Sequence, residues 1–566
     1  MRYSMIAAMI LSAITGCNHQ ESVVCLSVTT DVHGMIFPYD FISRSPAGNS
    51  LAHIYSYVEE KRNRKDTLFF LMDNGDFLQG QPTVYYYNFI DTLSPHLSAR
   101  VMNKMGYVAG TVGNHDIETG PAVYNRVRAE LGFPWLAANA VSIKTGEPFF
   151  EPYTILRVGK IKIAVLGLIT PGIPKWLPEN LWPGLEFRDM VETAREWIPK
   201  ILEMEKPDLM VGLFHSGTDA GYGGNPEPFL NENAVLLVAE NVSGFDVIFA
   251  GHDHRVSIQN VAVLNGDSVL VIDPGSHGHF AGEITVTFGK NGITELRGEN
   301  VSMKEYDPSE AFTDQFAVER EIISRYLEDT ITWLSDKMTS SNALFGPSPM
   351  ISLIHHVQME LSGADLSFSA PLSLNATLEK GPLLISDMFK LYRFENMLYC
   401  MELTGSEIDG FLEHAAGLWF NTMKKPDDRL LQYSKDASGQ LANPYYNFSS
   451  AAGIDYTIDV SNDPGDRVTI LGFSNGNPFL AEETYRVAIN SYRGNGGGGH
   501  LTQGSGIPAE QLASRVIWST DTDLRYHLMK YLGQSDTIVP ENYSNWRCIP
   551  SAWVGPASEK ERELFK

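Results

Sequence analysis

The sequence predicts an α/β protein of two domains, and three observations carry that expectation. From Val23 to about Val301, short apolar runs alternate with amphipathic segments, the pattern of a sheet covered by helices. Several of those runs have the length and apolar content of buried strands and end on Asp, Asn or His. From about Ser309 the pattern turns helical and charged, and a second unit of mixed strands and helices follows to about Tyr543.

Taken in order, Val23–Thr30 reads as a first strand and runs into Asp31-Val32-His33-Gly34. Leu51–Lys61 reads as a helix, with Asn49 or Ser50 as its N-cap. Thr67–Met72 is a strand that runs into Asp73-Asn74-Gly75-Asp76, and Pro95–Met105 is a second helix. Tyr107–Val112 leads into Gly113-Asn114-His115-Asp116. Ile161–Ile169 is a strongly apolar strand, and Met190–Glu205 a helix stopped by Pro207. Leu209–Phe214 runs into His215, and Val247–Ala250 into Gly251-His252-Asp253-His254. Ser268–Ile272 and the alternating Glu283–Phe288 complete the strands of the first domain. Ser309–Lys337 reads as a connecting helix, Thr339–Pro349 as a polar hinge, and Met350–Leu361 as the helix that opens the second domain. The last stretch, Glu541–Lys566, reads as a covering tail.

The chain has 566 residues, 43% hydrophobic, enough apolar material for two large cores. Its net charge is −25, which excludes non-specific binding to a nucleic-acid backbone as a leading function. A small phosphorylated ligand remains compatible, because bound cations can reverse the local field. Arg2 and the apolar Met5–Ile14 run resemble an export signal, and Ile14-Thr15-Gly16-Cys17 resembles a bacterial lipobox. The expected product is a protein lipidated at Cys17 and held at a membrane only by that anchor. Cys25, Cys400 and Cys548 lack the spacing of a zinc site; a Cys400–Cys548 bridge is open in an oxidising compartment.

The strand ends carry the chemistry. In open α/β sheets, functional groups gather beyond the carboxyl ends of strands. Asp, Asn and His side chains there suit hard or borderline divalent metals. A carboxylate shared by two cations suits in-line displacement at phosphorus, because the pair clamps the attacking and leaving oxygens together.

The order Asp31-Val32-His33, Gly75-Asp76, Gly113-Asn114-His115, a lone His215 and Gly251-His252-Asp253-His254 resembles the calcineurin-like metallophosphoesterase signature. Within it, Ser27–Gly34, Asp73–Gln81 and the second half resemble the secreted 5′-nucleotidase family. Asp31–Asp40 and Leu391–Leu398 look closest to its 2′,3′-cyclic-nucleotide 2′-phosphodiesterase/3′-nucleotidase branch. The resemblance implies a four-layer α/β/β/α sandwich with a smaller α/β substrate domain. It implies a signal peptide over 1–17, a catalytic domain over 22–308, a linker helix and hinge over 309–349, a substrate domain over 350–545 and a tail over 546–566. It places one divalent cation on Asp31, His33, Asp76 and His254, and a second on Asp76, Asn114, His215 and His252, with Asp76 bridging. The donor set suits zinc, manganese or iron.

His115 resembles the family's catalytic histidine, which pairs with an Asp three residues later; here that position is Glu118, and Asp116 is the other available partner. Asp253 is not expected to be a ligand, and His277 and His279 read as loop histidines or outer support for the ligands. In the second domain, Phe448 and Tyr492 stand where the family offers two aromatic faces to a nucleobase, and Arg493 could add charge beside them. The family's phosphate-binding Arg has no counterpart in Phe368–Asn375, and Gly498 replaces an Asp. These departures favour 2′,3′-cyclic nucleotides and 3′-nucleotides over 5′-monophosphates. The alternatives are a 5′-nucleotidase or UDP-sugar hydrolase, or a non-catalytic nucleotide-binding lipoprotein. The partners implied are small nucleotides, with no duplex nucleic acid, and the location is the periplasm or an outer-membrane anchor.

Overall fold

The computed structural model describes residues 22–221, 229–374, 376–434 and 441–565. The segment containing the lipobox Cys17 therefore lies outside the described residues. The chain divides into two compact units: the described residues up to Pro174 with Glu179–Ser324, and Lys175–Pro178 with Arg325 onward. The division falls inside the helix Ala317–Glu328, within the stretch read as a linker.

The first unit is built on two six-stranded sheets. In one, Ser22–Thr29 lies between parallel Thr67–Asp73 and antiparallel Phe280–Gly289. In the other, Leu209–His215 lies between Ile161–Ile169 and Val247–Phe249, all parallel. The two-residue period of a strand explains the layering. Val24, Leu26 and Val28 point into a core shared with Ile163, Val165, Leu209, Val211, Leu213 and Phe249 of the other sheet. Alternate residues point outward, where Tyr57 on the helix Leu51–Arg62 reaches Ser27 and Glu283. On the far side, the helices Met190–Glu205 and Val235–Asn241 cover the second sheet through Ala194, Ile198 and Val238. The order helix, sheet, sheet, helix is the expected four-layer sandwich.

Local chemistry sets the helix limits. Ser50 caps Leu51–Arg62 by accepting from Ala52 N, and Asn49 is used elsewhere. Asp189 accepts from Glu192 N at the start of Met190–Glu205. Parallel register then sets the site: Thr29 pairs with Asp73, Asp73 with Gly110, and His215 with Ile169. Strands whose ends are level deliver their following loops to one rim.

The second unit holds a five-stranded sheet in which Thr484–Asn490 lies between Leu366–Ser369 and Leu398–Thr404. Helices Pro349–Ser362 and Gly405–Trp419 supply apolar side chains to its two main cores. Three expectations need correction. The segment read as a hinge is packed: Ala343, Leu344 and Phe345 are buried, and Ser340 N donates to Ala376 O at 3.0 Å. The stretch read as a covering tail contributes a strand, Trp546–Ile549, parallel to Ile454–Asp459. Cys25, Cys400 and Cys548 are all free and buried, so no Cys400–Cys548 bridge forms. No helix among the described residues is long and apolar enough to cross a membrane.

Candidate metal centre

The first unit's rim brings together all seven residues read as cation ligands, and two groups stand out. Asp76, His215 and His252 have ligand atoms within 4.8 Å of one another, and so do Asp31, His33 and His254. Asn114 joins the former, its Oδ1 lying 3.1 Å from His215 Nε2.

The hydrogen bonds behind the imidazoles aim their lone pairs. His215 Nδ1 donates to the Asn74 carbonyl at 2.7 Å, and His33 Nδ1 to the Gln79 carbonyl at 3.0 Å. A carbonyl can only accept, so Nδ1 carries a proton in both rings and Nε2 is the atom turned inward. His215 Nε2 there meets Asp76 Oδ2 at 3.1 Å as well as Asn114 Oδ1. His33 Nε2 meets His254 Nε2 at 3.0 Å, and Asp31 Oδ1 lies 3.3 Å from that same His254 nitrogen. Asp31 Oδ1 and Asp76 Oδ2 are buried with no hydrogen-bond donor. Converging acceptors in a buried site repel one another unless a positive charge lies among them. The donor set, of oxygen and imidazole nitrogen without thiolate, fits divalent zinc, manganese or iron.

Burial opposes a charge on His215, yet the Asp76 and Asp31 carboxylates outweigh it and hold the imidazole up at about 10. Burial likewise opposes ionised Asp76 and Asp31, but neighbouring imidazoles hold both carboxyls below their ordinary range. Burial, followed by the charge of His215, pushes His252 down to about 4. Burial and the facing His254 and His277 rings push His33 well below its ordinary value. Without a cation the pocket thus keeps its carboxylates ionised, His33 and His252 neutral and a proton on His215, which a bound cation would displace.

Tight loop contact makes this possible. A Cβ on Gly113 would stand 2.1 Å from Asp76 Oδ1, and one on Gly251 would stand 2.2 Å from Thr30 Oγ1. Both loops need glycine to touch. Across the same contact, His115 N donates to Asp76 Oδ1 at 2.8 Å.

The partner of His115 is Glu118: Nδ1 and Oε2 are 2.5 Å apart. Asp116, the other acid considered, is a correction to its reading as catalytic. It is fully buried, its Oδ1 accepts from Phe77 N and Leu78 N, and its Oδ2 accepts from Asp76 N and Gly113 N, all between 2.8 and 3.0 Å. Both oxygens are occupied by backbone, so Asp116 ties the Asp76 loop to the Gly113 turn. The spacing of the motif does not reveal this, because the four donors come from two separate loops. Asp253 also turns away from the ligands, its Oδ2 accepting from Thr218 N at 2.8 Å.

The second unit corrects two further expectations. Phe448 is 1% exposed and belongs to the core, its ring stacked on Trp419 at 5.1 Å and 25°. Tyr492 is half-buried, and its ring neighbour is the half-buried Tyr446, at 6.5 Å and 82°. Phe394 continues the row, 6.3 Å from Tyr446. Arg493 is buried and structural: Nη1 donates to Gly497 O at 2.6 Å and Nη2 to Tyr446 O at 2.8 Å. Burial pushes its guanidinium down to about 10. Gly498 has φ 70°, and a Cβ there would stand 2.1 Å from Arg493 Nη1. The space an acidic side chain would need is filled by that arginine. Tyr446 lies two residues before Phe448 and carries no motif of its own; only exposure separates the two.

Comparison with known proteins adds the family context. Residues 26–256 match the calcineurin-like phosphoesterase model, and residues 329–503 match the 5′-nucleotidase C-terminal domain. The chain is 25% identical to a Yersinia enterocolitica 2′,3′-cyclic-nucleotide 2′-phosphodiesterase/3′-nucleotidase, over 96% of this chain and 91% of that protein. It is 26% identical to the trifunctional nucleotide phosphoesterase YfkN of Bacillus subtilis, over 92% of this chain but only 38% of that longer protein. Among solved structures, a candidate 5′-nucleotidase from Staphylococcus aureus superposes with a TM-score of 0.79 at 24% identity, covering 93% of this chain and all of that one. That likeness speaks to the fold.

Proposed function

We propose, from the premise that this chain belongs to the calcineurin-like phosphoesterases with a 5′-nucleotidase C-terminal domain, that it hydrolyses 2′,3′-cyclic nucleotides and 3′-nucleotides to nucleoside and phosphate. The broader activity, nucleotide phosphoester hydrolysis, is common to the named relatives. The observation that carries it is the convergence of Asp76 Oδ2, Asn114 Oδ1 and His215 Nε2 beside Asp31, His33 and His254. Asp76 is the proposed bridge.

When bound, two divalent cations supply Lewis-acid polarisation of phosphoryl oxygens and lower the pKa of water. The chain's own groups do the rest. Asp31 and Asp76 supply the negative charge, and the Gln79 and Asn74 carbonyls, accepting from Nδ1 of His33 and His215, turn each ring's Nε2 toward the cation positions. Glu118 holds His115 Nδ1, which leaves Nε2 to stabilise charge on the phosphoryl group or to hand a proton to the departing oxygen. Tyr492, with Tyr446 in place of the expected Phe448, is the aromatic surface for the base, and Arg493 holds both loops that carry them. The apolar Met5–Ile14 run and Cys17 support export and a lipid anchor in the cell envelope.

A second reading, hydrolysis of 5′-nucleotides, is favoured by the match to the 5′-nucleotidase C-terminal model. Phosphate release by the Mn²⁺- or Zn²⁺-loaded protein from 2′,3′-cyclic AMP (with a helper phosphatase), 3′-AMP and 5′-AMP separates the two. Preference for the first two, abolished in Asp76→Asn, supports the proposal; preference for 5′-AMP replaces it with the second reading. Nucleotide binding without turnover in either metal would leave a binding protein.

A further inference from the structure

Backbone strain marks a sixth residue at the rim. Nine non-glycine residues among those described have a positive φ, and five of them are proposed cation ligands: Asp31, His33, Asp76, His252 and His254. His277, with φ 57°, is at the same rim. Such a backbone is uncommon for a non-glycine residue and persists where the surroundings over-determine it.

His277 is held from several sides. Its N–H donates to the carbonyl of Asp31 at 2.7 Å. Its own carbonyl accepts from Asn49 Nδ2 at 2.6 Å, and its Nδ1 lies 2.8 Å from Ser276 Oγ. The ring lies 5.2 Å from that of His33 and 5.7 Å from that of His254. Those two imidazoles belong, with Asp31, to one of the two ligand groups. The neighbouring Gly275 and Gly278 also have positive φ, so a glycine at 277 would make the turn without strain. An imidazole stands there instead, against the rings of His33 and His254, on a residue whose backbone N–H bonds the Asp31 carbonyl.

We propose that His277 is a positioning residue for the cation held by Asp31, His33 and His254. Its ring keeps the His33 and His254 rings turned toward each other, and its backbone N–H, which the variants below retain, ties the turn to Asp31. The inference rests on the two-cation reading above. It assigns His277 no contact with the second group.

The test is cation binding by the full metal-free protein, measured by calorimetric titration with Mn²⁺ and Zn²⁺ and by metal content after gel filtration. His277→Gly, His277→Ala and His279→Ala are compared, His279 being an exposed histidine of the same loop. Loss of an outer support typically weakens a metal site about 10–100-fold. The expected result is two cations on the parent and on His279→Ala, with one of the two weakened at least about 10-fold in both His277 variants. The metal-free His277→Gly protein should keep or raise its Tm, because glycine relieves the strain; a plain structural residue would instead lower it. Parent-like binding of both cations by both His277 variants overturns the assignment while leaving the two-cation reading intact. Equal weakening of both cations with a lowered Tm also overturns it. A parent that takes up no cation overturns both readings together.

Discussion

His115 Nδ1 and Glu118 Oε2 lie 2.5 Å apart, one helical turn from each other on Asn114–Glu118. A spacing of three residues puts both side chains on one face of that turn. Glu118 is buried while His115 keeps its ring partly open, so the acid braces the imidazole from behind. Removing His115 as Ala should lower kcat by about 10²–10⁴, the usual range for a positioned acid or base. Glu118→Gln, which keeps a hydrogen-bond acceptor, should lose less. Both should retain two cations. Steady-state kinetics alongside metal analysis checks this, and an unchanged kcat in His115→Ala would remove His115 from the mechanism.

Asp116 should matter through stability and cation affinity more than through direct chemistry. Its carboxylate accepts four backbone N–H groups in a fully buried site. Asp116→Ala leaves buried donors without partners, each worth about 1–3 kcal/mol. A urea midpoint well below the parent's, together with weakened cation binding, is the expected outcome. Loss of turnover with unchanged stability and metal content would return Asp116 to the chemistry.

The aromatic residues of the second unit should separate cleanly. Phe448→Ala opens a core cavity and should cost roughly 3–5 kcal/mol of stability. Tyr492→Ala and Tyr446→Ala remove half-buried rings and should leave the melting temperature near the parent's. Each lost stacking face is worth ~1–3 kcal/mol, so KM for a nucleotide should rise about 5- to 150-fold. A raised KM in a folded Phe448 variant, with none in the tyrosine variants, would reverse the correction made for Phe448.

His355 predicts an acid limb for the second unit's stability. It is buried between Ser367 Oγ, 3.0 Å from Nδ1, and Ser450 Oγ, 3.2 Å from Nε2. Burial pushes its imidazole down to about 3. An unfolded histidine titrates near 6.5, so below that pH the unfolded chain takes up a proton that the native ring refuses. Its contribution is therefore fully present above about pH 6.5 and is lost as pH falls toward the folded value, at up to ~1.4 kcal/mol per pH unit. Urea midpoints between pH 7 and pH 4 should show a shallower acid slope in His355→Gln. Identical slopes in variant and parent would exclude His355 as a source of the limb.

Much of the first unit was legible because its signals are local. Runs such as Leu209–Phe214 have the apolar content of buried strands, and helices such as Met190–Glu205 carry their own caps and breakers. The proposed ligand residues could be read for the same reason: each ends a strand or follows one within a few residues, and parallel pairing levels the strand ends. The choice between Glu118 and Asp116 was not legible. It depends on four backbone donors from two loops that meet only in the folded chain. Phe448 and Tyr446 are two residues apart and chemically alike; which one faces the core depends on Trp419 and Trp546, far along the chain. The polar Thr339–Pro349 stretch reads as a hinge by composition, yet it packs through Ala343, Leu344 and Phe345.

By itself, then, the sequence pointed to the α/β class, to the strand-end residues proposed as ligands and to the two domain types its models match, since these follow from short-range periodicity and from residues that sit beside their own strands. Only the tertiary structure decided which acid braces His115, which aromatic is less buried, what Arg493 holds and which rings His277 packs against. Those outcomes depend on burial and on hydrogen-bond partners distant in sequence, and both exist only once the loops are brought together.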